Sequence, residues 1–133
     1  MNSITIEVSS RQKTELIDIT PEVQQRVAGA GFDNGICMVY VPHTTAAVTI
    51  NESADPAVAR DIIMVLDQIV PRKAGYRHME GNSPAHVKAG LVGESVHVAV
   101  DGGDLQLGTW QGIFFCEFDG PRSRRVRLHL ING

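Results

Sequence analysis

The spacing of apolar residues changes along this chain, and that change is the strongest constraint on its fold. Residues 4–8 and several runs within 95–130 alternate apolar and polar side chains, as half-buried strands do. Residues 55–71 instead repeat apolar positions at the interval of a helix. Strands at both ends with helices between them are typical of an α+β fold. We therefore expect one α+β domain over residues 1–133, with a mixed or antiparallel sheet packed against about three helices.

Three helices are predicted from a polar residue followed by proline, at 20–21, 55–56 and 83–84. The polar residue suits the cap, and proline suits the first helical position. His86 would then lie in the first turn of the third helix. The helix dipole disfavours an imidazolium there, so the ring should stay neutral with a nitrogen lone pair available for a metal or a proton.

The strand pairing is predicted from sequence neighbours. Residues 4–8 and 16–19 should form an opening hairpin, and the run ICMVYV at 36–41 should pair with AAVTIN at 46–51. The last third of the chain should be antiparallel, since Gly-rich and Asp-rich turns separate its four strand candidates. These candidates are SVHVAV, LQLG, GIFFCEF and RVRLHL.

Composition excludes several classes of function. The net charge of −3, with both signs interspersed, disfavours nucleic-acid binding. Neither a leader pattern nor an apolar run of membrane-spanning length is present, so we expect no membrane contact and a cytoplasmic location. Cys37 and Cys116 lie in apolar runs, which is typical of buried free thiols. A chain of 133 residues needs no metal merely to fold, so any bound metal would serve function.

Three polar segments, at 42–53, 77–86 and 107–124, join loops to the ends of predicted strands or helices. Their side chains are sufficient for a metal site, an acid/base pair or a phosphate pocket. The main candidates are His43, Glu52, His78, Glu80, His86, Glu117 and Asp119.

A metal site would use the three histidines of these segments, His43, His78 and His86. Catalytic zinc commonly takes three protein ligands and leaves one position for water or substrate. The alternative is that each is an ordinary surface or capping residue, because their spacing matches no standard local metal motif.

Two glutamates are candidates for acid/base roles. Glu52 ends the AAVTINE run, and Glu117 lies inside the apolar run FFCEF. A glutamate in such a run must be paired or have a shifted pKa. We favour an ion pair for Glu117, with Arg122 or Arg124 as the partner, although these arginines could also grip a phosphate.

Three blocks of sequence, HTTAAVTINE, YRHMEGNSPAHVKA and LGTWQGIFFCEFDGPR, resemble the signature blocks of the YjbQ-like family, also called the secondary thiamine-phosphate synthase family. The resemblance implies a compact α+β fold, a homotrimer, and a histidine-rich site able to hold a metal. By residue matching, His43, His78 and His86 would take that role. The implied activity is a weak thiamine-phosphate synthase, which joins a pyrimidine methyl diphosphate to a thiazole phosphate and releases pyrophosphate.

We therefore expect a metal-dependent enzyme acting on a small phosphorylated metabolite. Imidazole ligands favour a zinc-like divalent ion, whereas diphosphate chemistry commonly uses magnesium. The alternatives are a trimeric metal- or anion-binding protein without turnover, and a metal-assisted hydrolase of unknown substrate. The residues expected to bind substrate are Thr44, Thr45, Asn82, Lys88, Arg122 and Arg124.

Overall fold

The computed structural model describes residues 2–133 and arranges them as eight strands and three helices. All three helices precede residue 93, and the regular elements of residues 95–133 are strands. In chain order the elements are β1 (Asn2–Ser9), β2 (Glu15–Asp18), α1 (Thr20–Gly29), β3 (Gly35–Tyr40), β4 (Ala46–Glu52), α2 (Pro56–Ile69), α3 (Ser83–Val92), β5 (Ser95–Asp101), β6 (Asp104–Leu105), β7 (Gln111–Glu117) and β8 (Ser123–Asn132).

The strands form two sheets, and all neighbouring strands are antiparallel. The larger sheet has the order β1-β8-β3-β5-β6, and the smaller has the order β2-β7-β4. The α+β class is confirmed, as is the antiparallel arrangement of the last third. The sheet, however, is divided into two layers rather than continuous.

The predicted pairing of sequence neighbours was wrong. β1 pairs with β8 and β2 with β7, so residues 4–8 and 16–19 do not form a hairpin. β3 and β4 also lie in different sheets. In each case the short connection crosses from one sheet to the other, because both strands can then bury an apolar face in the space between the sheets.

The main hydrophobic core fills the space between the two sheets. The β3 and β8 side chains Val39, Val126 and Leu128 face Ile113 and Phe115 of β7, and all five are fully buried. α1 closes one side of this core with Val23 and Val27, which lie four residues apart on one face of the helix and are fully buried.

A second, smaller cluster lies between the β2-β7-β4 sheet and the helices α2 and α3. It contains Ala47, Ala85, Ala89, Cys116 and Phe118. β7 is therefore covered on both faces, which explains its unbroken apolar sequence.

The helix starts agree with their sequence signals to within one residue. Asp55 caps α2, and its carboxylate accepts a hydrogen bond from the amide of Ala57 at 2.9 Å. The cap of α1 is Ile19 and that of α3 is Asn82, each one residue before the predicted position. His86 is consequently the fourth residue of α3.

Candidate binding pocket at one end of the sandwich

Three connections between the sheets meet at one end of the molecule. Residues 10–14 join β1 to β2, residues 41–45 join β3 to β4, and residues 118–122 join β7 to β8. The strand ends flanking them are neighbours, since Ser9 pairs with Ser123, and Glu117 lies between Glu15 and Ala46. The antiparallel register therefore gathers polar segments that are far apart in sequence.

A cavity of about 640 Å³ opens at this end. It contains all three candidate histidines and five of the six residues expected to bind substrate. Its lining residues, all from one chain, are Tyr40, Pro42, His43, Thr44, Thr45, His78, Glu80, Asn82, His86, Arg122 and Arg124.

Three predicted site residues, Glu52, Lys88 and Glu117, do not line this pocket. Glu52 is at the opposite end of β4, about 20 Å along the strand from Ala46, and its carboxylate accepts from the amide of Ala54. Lys88 is buried on α3, where its ammonium pairs with Asp67 of α2. Because Lys88 follows His86 by two residues on a helix, it faces a different side, towards the α2–α3 layer.

Glu117 and Arg124 form a buried ion pair behind the pocket. Their side chains are 0% and 3% exposed, and Arg124 Nε donates to Glu117 Oε1 at 2.9 Å. Ser10 Oγ donates to the same carboxylate oxygen at 2.7 Å, and Arg124 Nη2 donates to Thr45 Oγ1 at 2.8 Å. The network joins all three connections between the sheets.

The electrostatics of Glu117 favour the ion-pair interpretation over an acid/base role. Burial alone would raise its pKa, but hydrogen bonds from Arg124, Ser10 and the Asp119 amide, together with the charge of Arg124, hold the pKa below its ordinary value. Its carboxylate is therefore ionised and fully engaged at neutral pH. It holds the arginine in place rather than exchanging protons.

His43 is held by a hydrogen bond from the backbone of β8. Its Nε2 accepts from the amide of Arg125 at 2.9 Å. Burial lowers the pKa of the ring, and the nearby positive charge of Arg124 lowers it further. His43 is thus neutral at physiological pH, with Nε2 occupied as an acceptor.

His78 and His86 form a contacting pair. Their ring centroids are 5.2 Å apart, with the planes at 78°, in an edge-to-face arrangement. His78 Nε2 also lies 3.9 Å from a carboxylate oxygen of Glu80. His86 projects from α3, while His78 comes from the loop that precedes it.

The residues of the pocket fit a metal ion only in part. Within residues 2–133, no group of three or more His, Cys, Asp or Glu side chains is placed to hold a metal. Asn82 Oδ1, however, is a buried side-chain oxygen without a hydrogen-bond partner. Imidazole nitrogens and an amide oxygen are ligands that suit a borderline divalent ion. His78, His86 and Asn82 are therefore the lining residues whose chemistry suits a metal ion, whereas Nε2 of His43 is already engaged.

Asp119 ties the histidine segment to the β7–β8 connection. Its carboxylate accepts from Lys13 Nζ at 2.9 Å, Asn82 Nδ2 at 2.9 Å and Arg122 Nη2 at 3.0 Å. Partial burial raises the pKa of Asp119, but the hydrogen bonds from Asn82 and Lys13 and the two positive charges bring it below its ordinary value. The start of α3 is anchored in this way beside the pocket.

Sequence reasoning missed Ser10, Lys13 and Tyr40 in this region. Ser10 is buried and carries part of the Glu117 network, and Tyr40 lines the pocket. Ser10 has the same parity as the inward-facing Ile6 and Val8, which was the available signal. No such signal distinguished Tyr40 from other residues of its strand.

The described residues contain no helix of sufficient length and apolar character to cross a membrane.

Comparison with known proteins agrees with the fold and places the chain in a family. The YugU protein of Bacillus subtilis is 50% identical over 128 residues, which cover 96% of this chain and 97% of that protein. A Methanocaldococcus jannaschii protein is 46% identical over 125 residues, covering 94% and 91% of the two chains.

Solved structures show the same architecture. An uncharacterized conserved protein of Clostridium acetobutylicum superimposes with a TM-score of 0.93 at 48% identity, over 96% of this chain and 99% of that one. A hypothetical protein of Aeropyrum pernix gives a TM-score of 0.94 at 36% identity over the whole of both chains. The family described as UPF0047 protein YjbQ-like matches residues 4–133, and the chain therefore belongs to the YjbQ-like family.

Proposed function

We propose that the pocket binds a small phosphorylated metabolite and that the protein acts on it with the help of a divalent metal ion. The observation that carries this proposal is the lining itself, which places two arginines and three histidines of one chain around a single cavity. Arginine suits phosphate oxygens, and imidazoles suit a zinc-like ion.

Arg122 is the direct phosphate contact in this proposal. Its side chain is 49% exposed, and its bonds to Asp119 use Nε and one Nη2 hydrogen, which leaves further donors for a ligand. Arg124 is committed to Glu117 and Thr45, so it contributes its charge to the pocket and keeps the lining in position. Thr44 adds an exposed hydroxyl.

His78 and His86 would hold the metal, with Asn82 Oδ1 as a further donor. A divalent ion bound there would neutralise phosphate charge, whether the ion is zinc-like or magnesium. The protein itself would bind the phosphate through Arg122, and the Asn82–Asp119 hydrogen bond would hold the start of α3, the helix that carries His86.

The candidate reaction is a thiamine-phosphate synthase-like transfer of a pyrimidinylmethyl group to a thiazole phosphate. The bond between the methylene carbon and the diphosphate oxygen breaks, a bond from that carbon to the thiazole nitrogen forms, and pyrophosphate leaves. The departing pyrophosphate requires positive charge, which Arg122, Arg124 and the metal would supply. Purified protein should form thiamine phosphate and pyrophosphate from the two substrates, and a chelator should abolish the product.

The control variants for this assay are His78→Ala/His86→Ala, which removes the proposed metal ligands, and His97→Ala, which changes an exposed histidine of β5. Product should disappear in the first and persist in the second. If wild-type protein forms no more product than the double variant, the transferase proposal is wrong.

A second candidate is a metal- or anion-binding protein without turnover. The observation favouring it is that neither proposed acid/base residue is available, since Glu117 is locked in an ion pair and Glu52 lies outside the pocket. Retention of pyrophosphate without conversion of a panel of phosphate esters and diphosphates would support this candidate. Metal-dependent hydrolysis of any of them would instead support a hydrolase.

We also propose that the chain forms a homotrimer, as the family resemblance implies. The supporting observation is the surface of α2, where Met64, Val65 and Ile69 are 51%, 45% and 60% exposed. An apolar helix face left open in one chain is the kind of surface that assembly buries.

We propose a cytoplasmic location as well, with which the two free, buried thiols of Cys37 and Cys116 are compatible.

A further inference from the structure

We propose that His43 is not a member of the metal set but a fixed hydrogen-bond donor, through Nδ1, for an anionic oxygen of the ligand. This inference rests on the proposed function and divides its site into two parts. The metal part is formed by His78 and His86, and the anion part by His43 and Arg122.

The tautomer of His43 is determined by its hydrogen bond with the backbone of β8. A neutral imidazole has one N–H and one acceptor nitrogen. The amide of Arg125 donates to Nε2 at 2.9 Å, so Nε2 is the acceptor and the proton resides on Nδ1. The backbone of β8 thereby determines which nitrogen carries hydrogen.

The Nδ1–H group of His43 points away from β8. The two ring nitrogens point in divergent directions, so Nδ1 faces away from the β8 amide. Among the hydrogen bonds described for residues 2–133, the His43 ring takes part only in the one at Nε2. Since His43 is only partly buried and lines the cavity, its Nδ1–H is available to a ligand there.

Charged side chains near His43 favour an anionic oxygen as its partner. The charges of Arg124 and Arg122 lower the pKa of His43 and that of Glu117 raises it, so the ring lies near two guanidinium groups and one carboxylate. Arg122 keeps further N–H donors, and it lines the same cavity as His43, so the two residues together can donate to an anionic oxygen. A metal at His43 would have to displace the Arg125 amide from Nε2 or remove the proton from Nδ1.

These observations specify the ligand class more narrowly than the pocket alone. The ligand should carry an anionic oxygen that accepts from both an imidazole N–H and a guanidinium, as phosphate or pyrophosphate does. The metal should contact a different part of the same ligand, beside His78 and His86.

The test compares zinc and pyrophosphate binding by titration calorimetry for His43→Ala, His43→Asn and His78→Ala, with His97→Ala as the control. Asparagine can place an N–H near the position of Nδ1 without offering an acceptor at Nε2.

We expect His43→Ala to weaken pyrophosphate binding by about tenfold or more, because it removes a charge-assisted hydrogen bond. His43→Asn should retain most of the affinity. Zinc affinity should fall in His78→Ala and stay within about threefold of wild type in His43→Ala.

Nitrogen spectra of protein labelled at histidine provide a second readout, which does not depend on how well the variants fold. His43 should show hydrogen on Nδ1, and its signals should move with pyrophosphate but little with zinc. Loss of zinc affinity in His43→Ala, or hydrogen on Nε2 in the wild type, would overturn the inference alone. Failure of wild-type protein to bind pyrophosphate would overturn the proposed function as well.

Discussion

Glu117 and Arg124 show how the parity of a single strand position determines the role of a charged residue. Glu117 shares the inward face of β7 with Ile113 and Phe115, and Arg124 shares the inward face of β8 with Val126. Both charges are therefore buried between the sheets, at the end where the pocket opens. A pair in this position is compensated only while both partners are present.

Replacing Glu117 by glutamine should lower the free energy of unfolding by about 3–5 kcal/mol, because Arg124 would remain buried without a counter-charge. Urea unfolding followed by circular dichroism measures this change. The matched control is Glu7→Gln on the exposed face of β1, which should cost less than about 1 kcal/mol. Equal effects of the two substitutions would show that the buried pair does not support the fold.

The same carboxylate gives the stability a defined dependence on pH. The folded-state pKa of Glu117 is below its ordinary value of 4.5, so the unfolded chain binds the proton more readily. The stabilisation is therefore complete above about pH 4.5 and is lost as the pH falls through the folded-state pKa. Unfolding free energies measured from pH 7 to pH 3 should decline in acid for the wild type and less steeply for Glu117→Gln. Parallel curves would contradict this assignment.

The segment between α2 and α3 has little hydrogen-bond support from the rest of the fold. Residues 72–81 take part in none of the backbone–backbone hydrogen bonds that the structure describes outside regular elements. Gly75 and Gly81 adopt positive φ angles of 69° and 77°, a conformation that other residues rarely take. The segment carries His78 into the pocket, and its last anchor is the hydrogen bond from Asn82 to Asp119.

Limited trypsin digestion should cleave this segment first, at Arg72, Lys73 or Arg77, because all three are exposed and the local backbone opens at little cost. Zinc and pyrophosphate together should slow cleavage several-fold if the ligand engages His78. Mass spectrometry of the first fragments measures both effects. First cleavage elsewhere, or cleavage unaffected by saturating ligand, would contradict the proposed contact of this segment with the ligand.

For the whole molecule, the exposed apolar face of α2 is the surface that the proposed trimer would bury. Val65→Lys/Ile69→Lys should convert a trimer into monomers, since it places two charges in an apolar interface. Light scattering after gel filtration should give three times the mass of one chain for the wild type. Ile36→Lys on the outer face of the larger sheet, where Ile36 is 42% exposed, is the control. Dissociation by Ile36→Lys alone would move the interface to that sheet.

The sequence by itself determined the fold class, the helices and most of the residues around the pocket. Alternating patterns, prolines after capping residues and three polar blocks are local signals, and they predicted β3, α2 and the histidine segment well. His43, His78 and His86 could be selected as candidates because polar residues at the ends of regular elements are commonly functional.

Only the tertiary structure decided how these elements pair and what each candidate does. Which strand pairs with which depends on burying apolar faces between two sheets, a choice that no single strand carries in its own sequence. The same packing leaves Glu52 at the far end of β4, turns Lys88 to Asp67 and supplies the Arg125 amide that engages His43. A residue type specifies possible chemistry, but its neighbours in space determine which of its atoms remain free to perform it.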